Sequence, residues 1–297
     1  MSAVHSFTAI PQQVVSNHVT AKLHPGSANT LWITMAKASQ GRCQNFSLPL
    51  LHGMRDLLQK VKQNGGTWQS EGEARAIQYA VLTSAHPDYF SLGGDLQHFR
   101  SCIRQRDKQA LHNYSQLCLD MMYEWATGLN GRTTTIALVQ GRALGGGFET
   151  ALSADFLIAE EHSEFGFPEI MFGLFPCTGG MSLLARRVGV HKAERMMSNG
   201  RIYSATELHE MGVVDEICPR GEGNAAVQKF ITTHAKRRVA RLMLQRSRYR
   251  LAPLDYSELL TVVDEWVETA MVLPDADLRV MEVLAQMQLQ QASRQAA

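Results

Sequence analysis

The chain has 297 residues, of which 45% are hydrophobic and 19% charged, and its formal net charge is +1. That length buries a large core as one α/β domain with helical additions, the reading favoured over two smaller domains, and the composition excludes a disordered chain. The near-zero charge excludes recruitment of nucleic acid by the overall field, and no apolar run reaches bilayer-spanning length, so neither nucleic acid nor membrane is expected as a partner. Five scattered cysteines, Cys43, Cys102, Cys118, Cys177 and Cys218, include no Cys-x-x-Cys pair. They fit neither a disulfide framework nor a zinc site. Met1 to Pro11 lacks the flank and apolar stretch of a secretion signal, and a cytoplasmic location is expected.

In chain order, Leu31–Met35 and Ile77–Leu82 read as short strands bounded by polar or turn residues, with a helix over roughly Pro49–Gln63 between them. A long helical stretch, Phe99–Leu129, leads to the strand Thr134–Val139, which runs straight into Gly141. A short helix at Phe148–Ser153 and a strand at Asp155–Ala159 follow. Alternation of strands and helices predicts βα units in an open sheet with helices on both sides. From about Gly180 the strand signal fades, and helices are expected through Gly189 and over Ser204–Met211, Ala225–Arg241, Tyr256–Leu273 and Asp277–Gln290. In the fourth of these, Tyr256, Leu259, Leu260, Val263, Trp266, Val267 and Ala270 share one face. Seven basic residues between Lys236 and Arg250, with no acid among them, read as a solvated helix face or as a docking surface for something acidic.

Three segments carry the chemistry. Ser91-Leu92-Gly93-Gly94-Asp95 and Gly141-Arg142-Ala143-Leu144-Gly145-Gly146-Gly147 each place glycines where a strand turns into a helix. Such turns leave backbone N–H groups unpaired, and two that converge suit a developing oxyanion. Gly94 and Gly146 are the expected donors. Glu149 lies in the first turn after the second glycine cluster, and Glu169 follows Pro168 in the apolar segment Phe165–Phe175. Carboxyls in such settings have raised pKa values, which suits proton transfer near neutral pH. The glycine spacing is not that of a dinucleotide fold, and His209-Glu210 does not complete a zinc-binding helix. No metal or cofactor is expected.

At these segments the sequence resembles the crotonase, or enoyl-CoA hydratase/isomerase, superfamily. The resemblance runs through Gly173-Leu174-Phe175-Pro176, Gly179-Gly180, Arg201–Ala205 and Gly212–Asp215, and covers roughly Asn29 to Pro219. It implies a crotonase-like spiral of ββα units over 1–219 with an extended N-terminus. Residues 220–297 would form a helical region for oligomerisation and pocket covering. It also implies Gly94 and Gly146 as the oxyanion hole and Glu149 and Glu169, twenty residues apart, as the hydratase pair. Retention of both glutamates points toward adding or removing water, because members doing other chemistry often lack one.

Phe90-Ser91-Leu92-Gly93-Gly94-Asp95-Leu96, the N-terminal extension and the Trp266-containing tail look more like the diffusible signal factor synthases. That subfamily implies dehydration of a 3-hydroxyacyl chain on acyl carrier protein, then thioester hydrolysis to a free cis-2-unsaturated acid used in quorum sensing. A long acyl tail needs an apolar tunnel, with Leu144, Phe148, Met171, Phe172, Leu174, Trp266 and Leu284 as expected walls. A conventional enoyl-CoA hydratase using acyl-CoA, and a non-catalytic homologue that binds a partner such as a sensor kinase, are the alternatives. A homotrimer or hexamer is the assembly implied.

Overall fold

The computed structural model describes residues 13–39 and 42–294. Seven strands lie side by side in chain order: Gln13–Ser16, Val19–His24, Thr30–Met35, Tyr79–Ser84, Thr134–Val139, Phe156–Glu160 and Glu216–Cys218. The first three pair antiparallel and the rest parallel, with Trp32 opposite Val81, Val81 opposite Ile136 and Ile136 opposite Phe156. Each parallel step requires a crossover, which helices supply.

The expectation of helices on both sides of the sheet follows from side-chain alternation along its central strands. Tyr79, Val81, Ile136, Leu138 and Ile158 face one way and pack with Val227 and Ile231 of the helix Gly223–Ala235. Ala80, Leu82, Ala137, Val139, Leu157 and Ala159 face the other and join the main core. These strands are buried on both faces and therefore read as continuous apolar runs.

A second sheet, absent from the sequence reading, positions the site. Its strands run Ile202–Ser204, Glu164–Gly166, Arg142–Leu144 and Tyr89–Ser91. Each of the last three follows a strand of the large sheet after a short turn, so the repeating unit is strand, strand, helix. Ala143 lies opposite both Phe165 and Ser91, and all three of these strands are parallel. Their carboxyl ends consequently lie side by side, where open sheets place ligands.

Several boundaries differ from expectation. Phe99–Leu129 is not one helix. The chain forms Leu96–Gln105, breaks at Arg106, which takes φ 55°, and restarts as Lys108–Ala126 with Asp107 capping the Ala110 N–H. Ala225–Arg241 likewise divides into Gly223–Ala235 and Arg238–Leu251. The strand signal after Gly180 fades without the strands ending: Ile202–Ser204 joins the small sheet and Glu216–Cys218 completes the large one. Three residues are too few for periodicity to register, and their pairing is supplied by neighbours distant in sequence. Tyr256–Met271 buries Leu259, Val263, Trp266, Val267 and Ala270, the face its spacing predicts.

Among the described residues no helix is long and apolar enough to cross a membrane. The basic run is partly consumed by the fold. Arg248 pairs with Asp155, Arg238 donates to the Arg132 carbonyl and Arg246 to that of Gly131.

Candidate active site

Three adjacent strand ends of the small sheet deliver the three sequence motifs to one place. Tyr89–Ser91 leads to Gly93 and Gly94, Arg142–Leu144 to Gly145 and Gly146, and Glu164–Gly166 to Phe167, Pro168 and Glu169. Gly93 takes φ +89°, and a methyl group there would meet the Leu144 carbonyl at 2.7 Å and the Gly146 nitrogen at 3.0 Å. The position a Cβ of Gly146 would occupy lies 3.7 Å from the Gly94 nitrogen. The two turns are thus in contact. Neither Gly94 nor Gly146 donates its N–H to another group among the described residues. Gly146 opens the helix Gly146–Ser153, and its N–H lies ahead of the first capping bonds, which the Phe148 and Glu149 N–H groups make to the Gly145 carbonyl.

Glu149, in the first turn of that helix, is 2% exposed. Its Oε1 accepts from the N–H groups of Thr178 and Gly180, each at 2.8 Å, and its Oε2 accepts from the Thr178 hydroxyl at 2.7 Å. Burial raises its pKa, while these three donors pull in the opposite direction by favouring the charged form. Glu169 is placed differently. It opens a single turn of 3-10 helix, Glu169–Phe172, and its Oε2 is buried with no hydrogen-bond partner among the described residues. Burial first, and then the neighbouring Glu149 charge, push its carboxyl up to about 8. Gly145 makes room for it: with φ +52°, a Cβ there would come within 2.5 Å of Glu169 Oε1.

The two carboxyls of one cavity are therefore held differently. Three donors favour the charged form of Glu149 against its burial, whereas Glu169, with no partner on Oε2 among the described residues, is pushed toward the acid. Pairs whose surroundings push them apart in this way divide acid and base work between them.

The cavity has a volume of about 230 Å³ and is mostly apolar. Gly94, Gly146, Glu149 and Glu169 all line it. Among the expected wall residues, Leu144, Phe172, Trp266 and Leu284 line it too. Phe148, Met171 and Leu174 do not. Phe148 is fully buried beneath the site, stacked on Phe167, while Leu174 is buried elsewhere in the core and Met171 turns outward with 54% exposure. Roles that the sequence does not announce include those of Thr178 and Gly180, which orient Glu149, and of Tyr114, Cys118 and Trp125 of the helix Lys108–Ala126, which line the cavity. The glycine pair before the helix Gly180–Val188 was a signal for a donor turn, whereas nothing local marks Tyr114.

Residues 67–249, more than half of the chain, match the family described as enoyl-CoA hydratase/isomerase. A mevalonyl-coenzyme A hydratase of Beauveria bassiana is 34% identical over 166 residues, 54% of this chain and 57% of the relative. A probable enoyl-CoA hydratase of Rhizobium meliloti is 34% identical over 138 residues, 46% of this chain and 50% of the relative. The chain spans about half the length of these curated relatives. In fold it is similar to human mitochondrial delta3-delta2-enoyl-CoA isomerase, with a TM-score of 0.71 at 18% identity, covering 90% of this chain and 97% of that one.

Proposed function

The chain belongs to the enoyl-CoA hydratase/isomerase family, and from that premise we propose that it adds water to, or removes water from, the C2–C3 bond of a fatty acyl thioester. The observation that carries this reading is the pairing of two buried, differently partnered carboxyls around one cavity that also receives the backbone N–H groups of Gly94 and Gly146.

In the hydration direction, the Glu149 carboxylate takes a proton from water as its oxygen attacks C3. Charge moves onto the thioester oxygen, where the N–H groups of Gly94 and Gly146 receive it without reorganising. Glu169 then passes its proton to C2. Dehydration is the reverse: Glu169 as carboxylate removes the C2 proton and Glu149 as acid protonates the departing hydroxyl. The unpartnered Oε2 of Glu169 is the atom available for that transfer.

At finer resolution we propose a 3-hydroxyacyl chain on acyl carrier protein as substrate, dehydrated and then hydrolysed at C1 to a free cis-2-unsaturated acid that serves as a quorum-sensing signal. The same two N–H groups would hold the oxyanion of both steps. The Phe90–Leu96 segment and the apolar walls at Phe172, Trp266 and Leu284 support this reading. Association of copies through the C-terminal helices is part of the proposal, supported by the exposure of Val239, Leu244 and Leu251. Purified protein given 3-hydroxydodecanoyl carrier protein should release free cis-2-dodecenoic acid, detected by mass spectrometry. Rapid hydration of crotonyl-CoA with no acid released would leave a conventional hydratase, and turnover of neither thioester would refute both.

A further inference from the structure

The N–H of Gly94 is useful only if the peptide carrying it is held still, since a donor misplaced by an ångström loses most of its effect on the reacting carbonyl. The glycine itself supplies no stiffness, and Gly93 before it and Gly94 have no side chains to pack. Residues 44–46 run alongside residues 92–94, with the Leu92 N–H donating to the Gln44 carbonyl at 2.7 Å and the Phe46 N–H to the Gly93 carbonyl at 2.9 Å. Phe46 and Gly94 form an isolated parallel bridge. That ladder stops at Gly94, where the chain must turn into the helix Leu96–Gln105.

At this end one side chain closes the structure. The Tyr114 hydroxyl donates to the Phe46 carbonyl at 2.5 Å and accepts the Asp95 N–H at 3.0 Å. It thereby ties the segment at Phe46 to the Gly94–Asp95 peptide, next after the peptide that carries the Gly94 N–H, using its single proton and a lone pair. Tyr114 is 2% exposed, and its ring is held edge-on by Phe99 with centroids 5.2 Å apart. Phe99 in turn covers Gly94 so closely that a Cβ there would meet its ring at 2.3 Å. The hydroxyl is neutral, because burial raises its pKa well above the ordinary tyrosine value. It cannot serve as a proton carrier at neutral pH.

We propose that Tyr114 is a positioning residue for the oxyanion hole: its hydroxyl fixes the Gly94–Asp95 peptide against Phe46 and so aims the Gly94 N–H at the thioester oxygen. The mechanistic part of this proposal rests on the reading of the site as an acyl-thioester enzyme, whereas the clamp itself does not.

Tyr114→Phe keeps the ring and deletes only the hydroxyl. Two measurements on it separate the clamp from the reading of function. The first is amide hydrogen exchange across residues 92–97, which needs no turnover. Loss of the hydroxyl should speed exchange at Asp95 by about tenfold or more, while the helix Gly146–Ser153 stays protected as in the parent. Unchanged exchange at Asp95 would overturn the proposal whatever the activity. The second compares affinities for acetoacetyl and butyryl thioesters of pantetheine, the arm that coenzyme A and carrier protein share. The enolate of the first places negative charge where the oxyanion forms, and the second is neutral. Tyr114→Phe should weaken acetoacetyl binding about tenfold and leave butyryl binding within twofold, and in steady state should lower kcat about 10- to 100-fold with KM within about twofold. Equal weakening of both analogues, or a raised KM with unchanged kcat, would make Tyr114 a packing residue and overturn its positioning role. If the parent protein turns over no thioester while Asp95 exchange responds as expected, the reading of function fails and the clamp stands.

Discussion

The helix Gly146–Ser153 has a buried carboxylate near each end, and the two are treated in opposite ways. Asp155, just past its C-terminus, is 4% exposed and fully partnered. Arg248 at 2.5 Å and the Tyr249 hydroxyl at 2.7 Å donate to Oδ1, while the Thr135 N–H and hydroxyl and the Gln245 side chain donate to Oδ2. Among the described residues, Glu149 in the first turn has three neutral donors and no cation, and its neighbour Glu169 has an oxygen with no partner. A buried carboxylate that has collected a cation and a full set of donors is locked, because proton transfer would have to break a network that stabilises its charge. One left short of partners keeps capacity for a substrate. The difference separates an acid that holds the fold together from a pair that can react.

That contrast can be broken from either side. The largest effect is expected at the reactive end: Glu149→Gln should lower kcat by about 10³-fold, within the range for general acid–base groups, with a melting temperature equal to or slightly above that of the parent. Calorimetry beside steady-state kinetics tests both halves, and a variant that melts early would place Glu149 with the structural acids. Asp155→Ala should do the converse. Stranding Gln245 and Tyr249 and freeing Arg248 should cost about 3 kcal/mol, lowering Tm by on the order of 10 °C, while kcat per folded molecule stays within about twofold.

A sharper test is the pH profile. With Glu169 pushed up to about 8, hydration needs its protonated form and should fall about tenfold per pH unit above that value. Dehydration also needs one proton on the pair, now on Glu149, so it should fall over the same range, because water addition exchanges no net proton and its equilibrium does not shift with pH. Glu169→Gln should remove the inflection in whatever activity remains. A hydration rate that stays flat from pH 7 to 10 would reassign the acid. The smallest effect is expected from Gly145→Ala, which strains a φ of +52° and crowds Glu169 Oε1. It should cost about tenfold in kcat and about 1–2 kcal/mol of stability, and a crystal structure of the variant should show the Glu169 carboxyl displaced.

Much of this was legible in the sequence because the large sheet is built from apolar runs. Thr134–Val139 is a strand over its expected span, and the buried face of Tyr256–Met271 follows its spacing. Gly94, Gly146, Glu149 and Glu169 could be named from glycine clusters at strand-to-helix turns and from carboxyls in apolar settings. The small sheet could not. Its strands are three residues long, and Arg142–Leu144 contributes one buried side chain between two half-buried ones, which is no pattern at all. Nor could the cavity walls be read. Phe148, Met171 and Leu174 share the apolar character of Phe172, and only tertiary packing decides which of them turns toward the acyl space. Tyr114 lay hidden for a further reason: its partners Phe46 and Asp95 are 68 and 19 residues away, and a tyrosine in a helix carries no local sign of such a role.

The strand ends of the small sheet lie side by side. Neighbouring strands are spaced about 4.8 Å apart by their hydrogen bonds. Gly94, Gly146 and Glu169 each lie a few residues beyond one of three such strands, so their separations are graduated by the backbone ladder rather than by side-chain size. The sheet is a ruler against which the carbonyl and its neighbouring carbons are measured. Walls such as Phe172, Trp266 and Leu284 are then free to change with the length of the chain they enclose, while the distances at the reacting atoms stay constant.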